Sequence, residues 1–339
     1  MSAPIGQHWK QINDHEDLLG ASYRARTFSF QGAKRETHTT LINHLGAQHA
    51  THAILYIHGY TDYFFQTDLA EHFITQGHRF YALDLQGYGR SIRPNTPPNW
   101  CDSIEQYGQD LDIALATMKA DGVDKVTLLA HSTGGLITAT YLAQPYRSEE
   151  RAQIYQTAFP EVCGVILNSP FLALPFSPKT LQWISCPIYA LVTLFPFASL
   201  HTKKATLYSK TLHTVFGGEW DYRLDWKPAA GYPLSFHWLK QIVLAQRKLS
   251  TKRIEIPTLL CHSEFSTVDK KTVADMQRGD GVLNVKSMQE AAAKAFGQLS
   301  TASIPNGFHD LFLSQLPARE AYLASIDHWL DRQTNTQKS

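Results

Sequence analysis

Several things are scarce in this chain, and each shortage removes a class of function. Thirty-one Lys and Arg face 30 Asp and Glu, a formal net charge of +1, so no basic field exists to hold a nucleic-acid backbone. The four cysteines, Cys101, Cys163, Cys186 and Cys261, show neither paired spacing nor a zinc pattern. Cys163 and Cys261 fall in strand-like apolar runs, and buried reduced thiols are expected. The 16 histidines offer no metal-ligand spacing, and His49 and His52 read as polar surface residues. No G-x-x-x-x-G-K phosphate loop occurs. Neither a metal nor an organic cofactor is therefore expected.

Residues Met1 to Leu19 mix His, Lys, Asp and Glu without an apolar core, so no signal peptide is read there and a reducing cytoplasm is the expected location. Internal repeats and low-complexity segments are missing too. The single long apolar stretch, Leu181 to Leu200, is cut by Pro187 and Pro196 and punctuated by Gln182, Ser185 and Thr193. Those interruptions argue against a membrane span and for two short amphipathic helices.

What the chain does contain is an alternation of buried strands and helices. Ser22 to Phe30 and Thr37 to Leu45 alternate apolar and polar residues around Gln31-Gly32, which predicts an antiparallel pair. Continuous apolar runs at Ala53 to Ile57, Arg79 to Leu85, Lys125 to Ala130, Val162 to Asn168, Pro257 to Cys261 and Thr301 to Ile304 predict further strands. Helices are expected at Asp68 to Thr75, from a Ser103/Gln106 capping box through Met118, at Gly134 to Ala143, from Ser287 to about Phe296, and at Arg319 to Leu330. Alternation of this kind predicts an α/β protein with a mostly parallel sheet covered by helices on both faces.

Ligands of such sheets bind at the carboxyl ends of the strands, where His58, Ser91 and Ser132 all fall. The most informative stretch is Ala130-His131-Ser132-Thr133-Gly134-Gly135, between a buried strand and a helix. A serine on so sharp a turn is pushed outward, above the positive end of the helix, and the N–H of Thr133 faces an incoming oxyanion. Ala130 stands where a first glycine is usual; one methyl is compatible with the turn.

The order of a His-Gly turn, a serine elbow, an acid loop and a late histidine resembles the α/β-hydrolase superfamily from about Ser22 to Leu330, and within it the monoacylglycerol lipase and lysophospholipase group. The stretches that carry the likeness are His58-Gly59, Asp84 to Ser91, Ala130 to Gly135, Asn168-Ser169-Pro170 and His309-Asp310. The resemblance implies an α/β-hydrolase core (residues 1–170 and 251–339) with an inserted helical cap or lid (171–250). It implies Ser132 as nucleophile, His309 as base, and an oxyanion hole of the Thr133 and Tyr60 amides. His58 is assigned to loop structure and Asp84 to Ser91 to bracing.

The acid departs from the common pattern, because Ser266 occupies its usual place. An order of acid, helix, strand and histidine is nonetheless kept if His262 to Gly279 is an insertion. Asp280 is then the expected acid, with Asp269 and then Glu264 as alternatives and Asp275 also nearby.

The implied activity is hydrolysis of lipophilic carboxylic esters, of monoacylglycerol or lysophospholipid type, through an acyl-enzyme, with membrane-surface contact through the lid. Aminopeptidase or carbon–carbon bond hydrolase chemistry on the same scaffold is the enzymatic alternative. The former would need an acidic anchor such as Glu219 or Asp221. A non-catalytic ligand receptor is the third reading.

Overall fold

The computed structural model describes residues 9–31, 36–94, 97–143, 157–174, 194–195, 198–200, 204–249 and 253–336. The expected helix pair in Leu181 to Leu200 lies for the most part outside these, as does Cys186.

Among the described residues nine strands form one sheet: β1 (Trp9–Asp17), β2 (Gly20–Gln31), β3 (Glu36–His44), β4 (His52–Ile57), β5 (Arg79–Asp84), β6 (Lys125–His131), β7 (Glu161–Asn168), β10 (Thr258–Ser263) and β11 (Leu299–Ile304). Their spatial order is β1-β2-β3-β5-β4-β6-β7-β10-β11. Pairings from β1 to β5 are antiparallel, and from β5 across to β11 they are parallel. A separate two-stranded ribbon pairs β8 (Ser199–Leu200) with β9 (Leu234–Ser235).

The helices are α1 (Thr67–Thr75), α2 (Tyr107–Ala120), α3 (Thr133–Ala143), α4 (Leu207–Leu212), α5 (Phe236–Leu249), α6 (Val273–Met276), α7 (Val285–Ala295) and α8 (Leu316–Thr336). Side chains alternate across the sheet with the period of two that a strand imposes. Leu55, Ile57, Leu128, Ala130, Val165 and Leu167 join one core with α2, α3, α5 and α7. Ile54, Tyr56, Leu129 and Ile166 face the other way, into a core with α1 and α8. Both faces of the parallel strands are therefore dry, which is why those strands read as unbroken apolar runs.

Several expectations are corrected by the structure. β1 is not expected from the sequence, because eight of its nine side chains are not buried and no alternation marks it; it is held as an edge by pairing with β2 alone. The capping box does not close: Ser103 Oγ accepts from Glu105 N at 3.3 Å, while Gln106 Oε1 accepts from Asp102 N at 3.0 Å. And Asn284, not Ser287, caps α7, its Oδ1 accepting the Ser287 N–H at 2.9 Å. His52 is half-buried in β4 rather than on the surface, and burial lowers its pKa to about 4. Cys101 and Cys261 are buried as free thiols, whereas Cys163 is only half-buried.

The turn from β6 into α3 depends on two glycines. A methyl on Gly134 would come to 2.6 Å from the Ile57 carbonyl oxygen and 2.5 Å from that of His58. A methyl on Gly135 would come to 2.5 Å from Pro170 Cβ. The backbones of β4, the elbow and the loop after β7 are thus packed directly on one another. Gly134→Ala should lower the thermal midpoint by an amount equivalent to about 2 kcal/mol or more, since backbone cannot yield as a side chain can. Gly108→Ala, in α2, meets only Tyr141 Cδ2 at 3.5 Å, an ordinary contact. It should raise the midpoint slightly, by the helix propensity of alanine over glycine, up to about 1 kcal/mol. Calorimetry of the two variants checks the opposite signs.

Candidate active site

The site forms where the parallel strands end. Ser132, the first residue after β6, has φ +50°, a left-handed conformation that costs a non-glycine residue energy and is held only by its surroundings. Those surroundings are specific: Ser132 N donates to Asn168 O at 3.0 Å, and Ser132 O accepts from Phe171 N at 2.9 Å. The loop after β7 thereby clamps the elbow from both sides of one residue. Alanine at position 130 does not disturb the turn; it lies buried in register with Ile57 and Leu167.

His309 follows β11 and is buried. Its Nε2 lies 2.9 Å from Ser132 Oγ and its Nδ1 3.0 Å from Asp280 Oδ2. The carboxylate accepts at that position, so Nδ1 carries the proton and Nε2 is free to accept from the serine hydroxyl. Asp280 is fully buried, and its other oxygen accepts the N–H groups of Val282 and Leu283, each at 2.8 Å. Its backbone is tied to the β10 loop, with Asp280 N donating to Phe265 O at 3.0 Å and Thr267 N donating to Asp280 O at 2.7 Å.

The other acid candidates lie elsewhere. Glu264 and Asp269 are exposed, Asp269 beside Lys270, and Asp275 is bound to Thr272. Ser266 sits in a bridge with Asp280, and its hydroxyl accepts the Val285 N–H at 2.8 Å, anchoring the start of α7. The serine at the usual acid position has become part of the support for an acid that arrives later in the chain.

On the opposite side of Ser132 the β4 turn approaches closely. A methyl on Gly59 would come to 3.1 Å from Ser132 Cβ, so the His58-Gly59-Tyr60 backbone lies against the serine. The Tyr60 and Thr133 amides donate to no group among the described residues. The Tyr60 ring packs on Trp238 of α5, with centroids 4.2 Å apart, and its hydroxyl donates to Pro233 O at 3.2 Å. Both ring nitrogens of His58 are used by backbone, Nδ1 on Gly59 O at 2.8 Å and Nε2 on Leu85 N at 3.1 Å. It is a loop support. Asp84 to Ser91 is a brace, in which Asp84 accepts from Phe64 N and Arg90, and Arg90 reaches Asp17 with two bonds of 2.6 Å.

Several neighbours support the site, most of them without a signal in the sequence. Asn168 Nδ2 donates to Asp310 Oδ1 at 2.8 Å, and its Oδ1 accepts from Leu311 N at 3.1 Å, which fixes the loop that carries His309. Tyr208 of α4 packs edge-on at 5.8 Å from the His309 ring, and its hydroxyl accepts the Asp310 N–H at 2.9 Å. Burial pushes that phenol far above its ordinary range. Lys227 reaches Asp62 in the β4 loop, Nζ to Oδ1 at 2.5 Å. Burial opposes ionisation of Asp62, but the Lys227 ammonium outweighs it and holds the carboxyl below its usual value. Asn168 is legible as a motif residue; Tyr208, Lys227 and Asp62 pair with groups too distant in sequence to be foreseen.

Comparison with known proteins identifies the family and the fold. Residues 48–315 match the family described as Hydrolase_4: Serine aminopeptidase, S33. A monoglyceride lipase from Saccharomyces cerevisiae, solved with a substrate analog, superposes with a TM-score of 0.63 over 98% of this chain and 99% of its own, at 16% identity. The Paleococcus ferrophilus monoacylglycerol lipase gives 0.56 over 83% of this chain and 94% of its own, at 18% identity. Likeness at such identities speaks to the fold. A stretch of 82 residues is 38% identical to the 1-acylglycerol-3-phosphate O-acyltransferase ABHD5 of Sus scrofa, covering 24% of this chain and 23% of that protein. The chain thus spans about a quarter of the length of the curated relatives it matches. With the family matched across most of the chain, and the nine-stranded sheet and serine elbow in place, this protein belongs to the Hydrolase_4 (serine aminopeptidase, S33) family and has the α/β-hydrolase fold.

Proposed function

We propose that the protein is a serine hydrolase that cleaves carboxylic esters of lipophilic acyl substrates, of monoacylglycerol or lysophospholipid type, through an acyl-enzyme. The observation that carries this reading is the unbroken hydrogen-bonded chain Ser132 Oγ, His309 Nε2, His309 Nδ1, Asp280 Oδ2, at 2.9 and 3.0 Å. A serine hydroxyl is a weak nucleophile at neutral pH. In this reading His309 Nε2 takes its proton as Oγ bonds to the ester carbonyl carbon. The carbonyl oxygen becomes an oxyanion facing the Tyr60 and Thr133 amides, each worth about 3 kcal/mol in the transition state. His309 then protonates the departing alcohol oxygen as the C–O bond breaks. Water, activated by the same nitrogen, releases the carboxylic acid and restores the serine. Asp280 holds the tautomer and stabilises the imidazolium between the two transfers.

Residues 171–250 serve in this proposal as the cap. Its apolar exposure supports a lipophilic substrate and transient contact with a membrane surface: Leu194, Phe195, Leu200 and Val215 are each more than half exposed. No helix among the described residues is long and apolar enough to cross a membrane. Free thiols at Cys101, Cys163 and Cys261 support a reducing compartment such as the cytoplasm.

Aminopeptidase activity, which the family's description names, would need a free carboxylate for the substrate amine. The two considered for that role do not favour it. Glu219 is paired with Arg319 at 3.0 Å, and the Asp221 side chain is 91% exposed.

A fluorophosphonate probe should label the wild-type protein and not Ser132→Ala, and the variant should hydrolyse p-nitrophenyl esters at less than about a thousandth of the wild-type rate while keeping its melting temperature. Activity above that level would remove Ser132 from the mechanism. Across p-nitrophenyl esters, monoacylglycerols, lysophospholipids and aminoacyl anilides, medium and long acyl esters should be turned over fastest; faster cleavage of the anilides would overturn the ester assignment.

The acid is tested separately. Asp280→Asn should reduce kcat by about ten-thousand-fold, because the amide favours the wrong imidazole tautomer, while Asp269→Asn and Glu264→Gln stay near wild type. Near-native turnover by Asp280→Asn would show that the acid lies elsewhere.

A further inference from the structure

Behind the serine, the loop after β4, the last residue of β6 and the loop after β11 bring Asp62, His131 and Asp310 together. One oxygen of each carboxylate and one ring nitrogen of His131 lie within 4.8 Å of one another. The three residues are only 2%, 4% and 1% exposed. On each carboxylate one oxygen is already engaged. Asp62 Oδ1 accepts from Lys227, and Asp310 Oδ1 accepts from Asn168 Nδ2 at 2.8 Å and Phe312 N at 3.1 Å. The other oxygen of each, Oδ2, is buried with no hydrogen-bond partner. A buried carboxylate oxygen without a partner is costly unless a positive charge meets it.

The histidine is set up to complete the same point. His131 Nδ1 lies 3.1 Å from Asn168 O, and since a carbonyl only accepts, Nδ1 carries the ring proton. That leaves the lone pair of Nε2 for the cluster. An imidazole with one nitrogen fixed on a carbonyl and the other bare is how metal-bound histidines are held. Gly59 makes the room: a methyl there would come to 3.1 Å from His131 Cδ2.

A proton is too small an occupant. Shared between His131 and a carboxylate, it would join Nε2 to an Oδ2, and neither Oδ2 makes such a bond. Three atoms separated by no more than 4.8 Å share a point at most about 2.8 Å from each, and zinc bonds to nitrogen and oxygen of about 2.0–2.2 Å are reached by small side-chain movements. Two carboxylates and the Lys227 ammonium leave one net negative charge for the ion to meet. One imidazole beside two carboxylates suits a first-row transition ion better than magnesium or calcium, which prefer oxygen alone.

We propose that Asp62, His131 and Asp310 bind one divalent transition-metal ion of the zinc or manganese kind. The ion would tie the loops after β4 and β11 to the end of β6, next to Ser132 and His309 but outside the proton path. The inference rests on this cluster and stands apart from the ester reading.

The test uses the full chain, stripped with a chelator and titrated calorimetrically with Zn²⁺, Mn²⁺ and Ca²⁺, with bound metal counted by mass spectrometry after gel filtration. About one equivalent of Zn²⁺ or Mn²⁺ should bind and raise the melting temperature by about 3 °C at saturating ion. Asp62→Asn and Asp310→Asn should each weaken binding at least about tenfold, while His49→Gln, at an exposed position, leaves it unchanged. Should Asp310→Asn fail to fold, Asp62→Asn and the wild-type stoichiometry decide. A wild-type chain that retains neither zinc nor manganese, binding that survives Asp62→Asn unchanged, or a preference for Ca²⁺ would each overturn the proposal.

Discussion

The close approach of three backbones at the β6–α3 turn is the constraint on which the rest of the structure depends. Gly134 lies so near the Ile57 and His58 carbonyls that no side chain fits between them, and Ser132 must adopt a left-handed φ of +50° for the chain to reverse there. An unfavourable conformation persists only where neighbours over-determine it. Here Asn168 O and Phe171 N hold the serine backbone from the β7 side, while Gly59 lies against its Cβ from the β4 side. The same crowding thrusts the hydroxyl out toward His309 and keeps the Thr133 amide free. Strain, packing and the position of the serine oxygen are one feature seen from three directions.

Around that turn, charges do the tying that apolar contacts do elsewhere. Arg90 joins Asp84 at the end of β5 to Asp17 at the end of β1, so the edge of the sheet is fastened to the loop that braces the site. Lys227 joins the segment between β7 and β10 to Asp62 in the β4 loop. Aromatic packing follows the same route. Tyr222 lies on Phe65, Trp226 on Tyr63, and the Tyr60 ring on Trp238. Buried pairs of this kind contribute little net stability, but removing one partner leaves a charge stranded, so they define which segment sits where. Residues 204–249 of that segment therefore have a definite seat beside the serine, with Tyr208 against the His309 ring.

Much of this is legible along the chain. The parallel strands announce themselves as unbroken apolar runs because both of their faces are covered, and the serine elbow by small residues between a strand and a helix. His309 is recognisable from its place just after the last strand. The edge strand β1 is not, since an exposed strand with one partner needs no alternation. Nor is the cap of α7: Asn284 and Ser287 both fit the first turn, and only the bond from Ser287 N to Asn284 Oδ1 separates them.

The sequence by itself determined the class of fold and the local geometry of the elbow, because periodicity, glycine placement and strand burial are short-range properties. It narrowed the acid to a few carboxylates in one loop region. Which of them meets His309 was decided only by tertiary structure: Asp280 is carried inward by its bridge to Ser266 and the amides of Val282 and Leu283, while Glu264 and Asp269 face water. The Asp62, His131 and Asp310 cluster and the Lys227 tie are likewise invisible along the chain. Their partners belong to segments far apart in the chain, and no sequence spacing encodes a meeting that depends on where separate strands end.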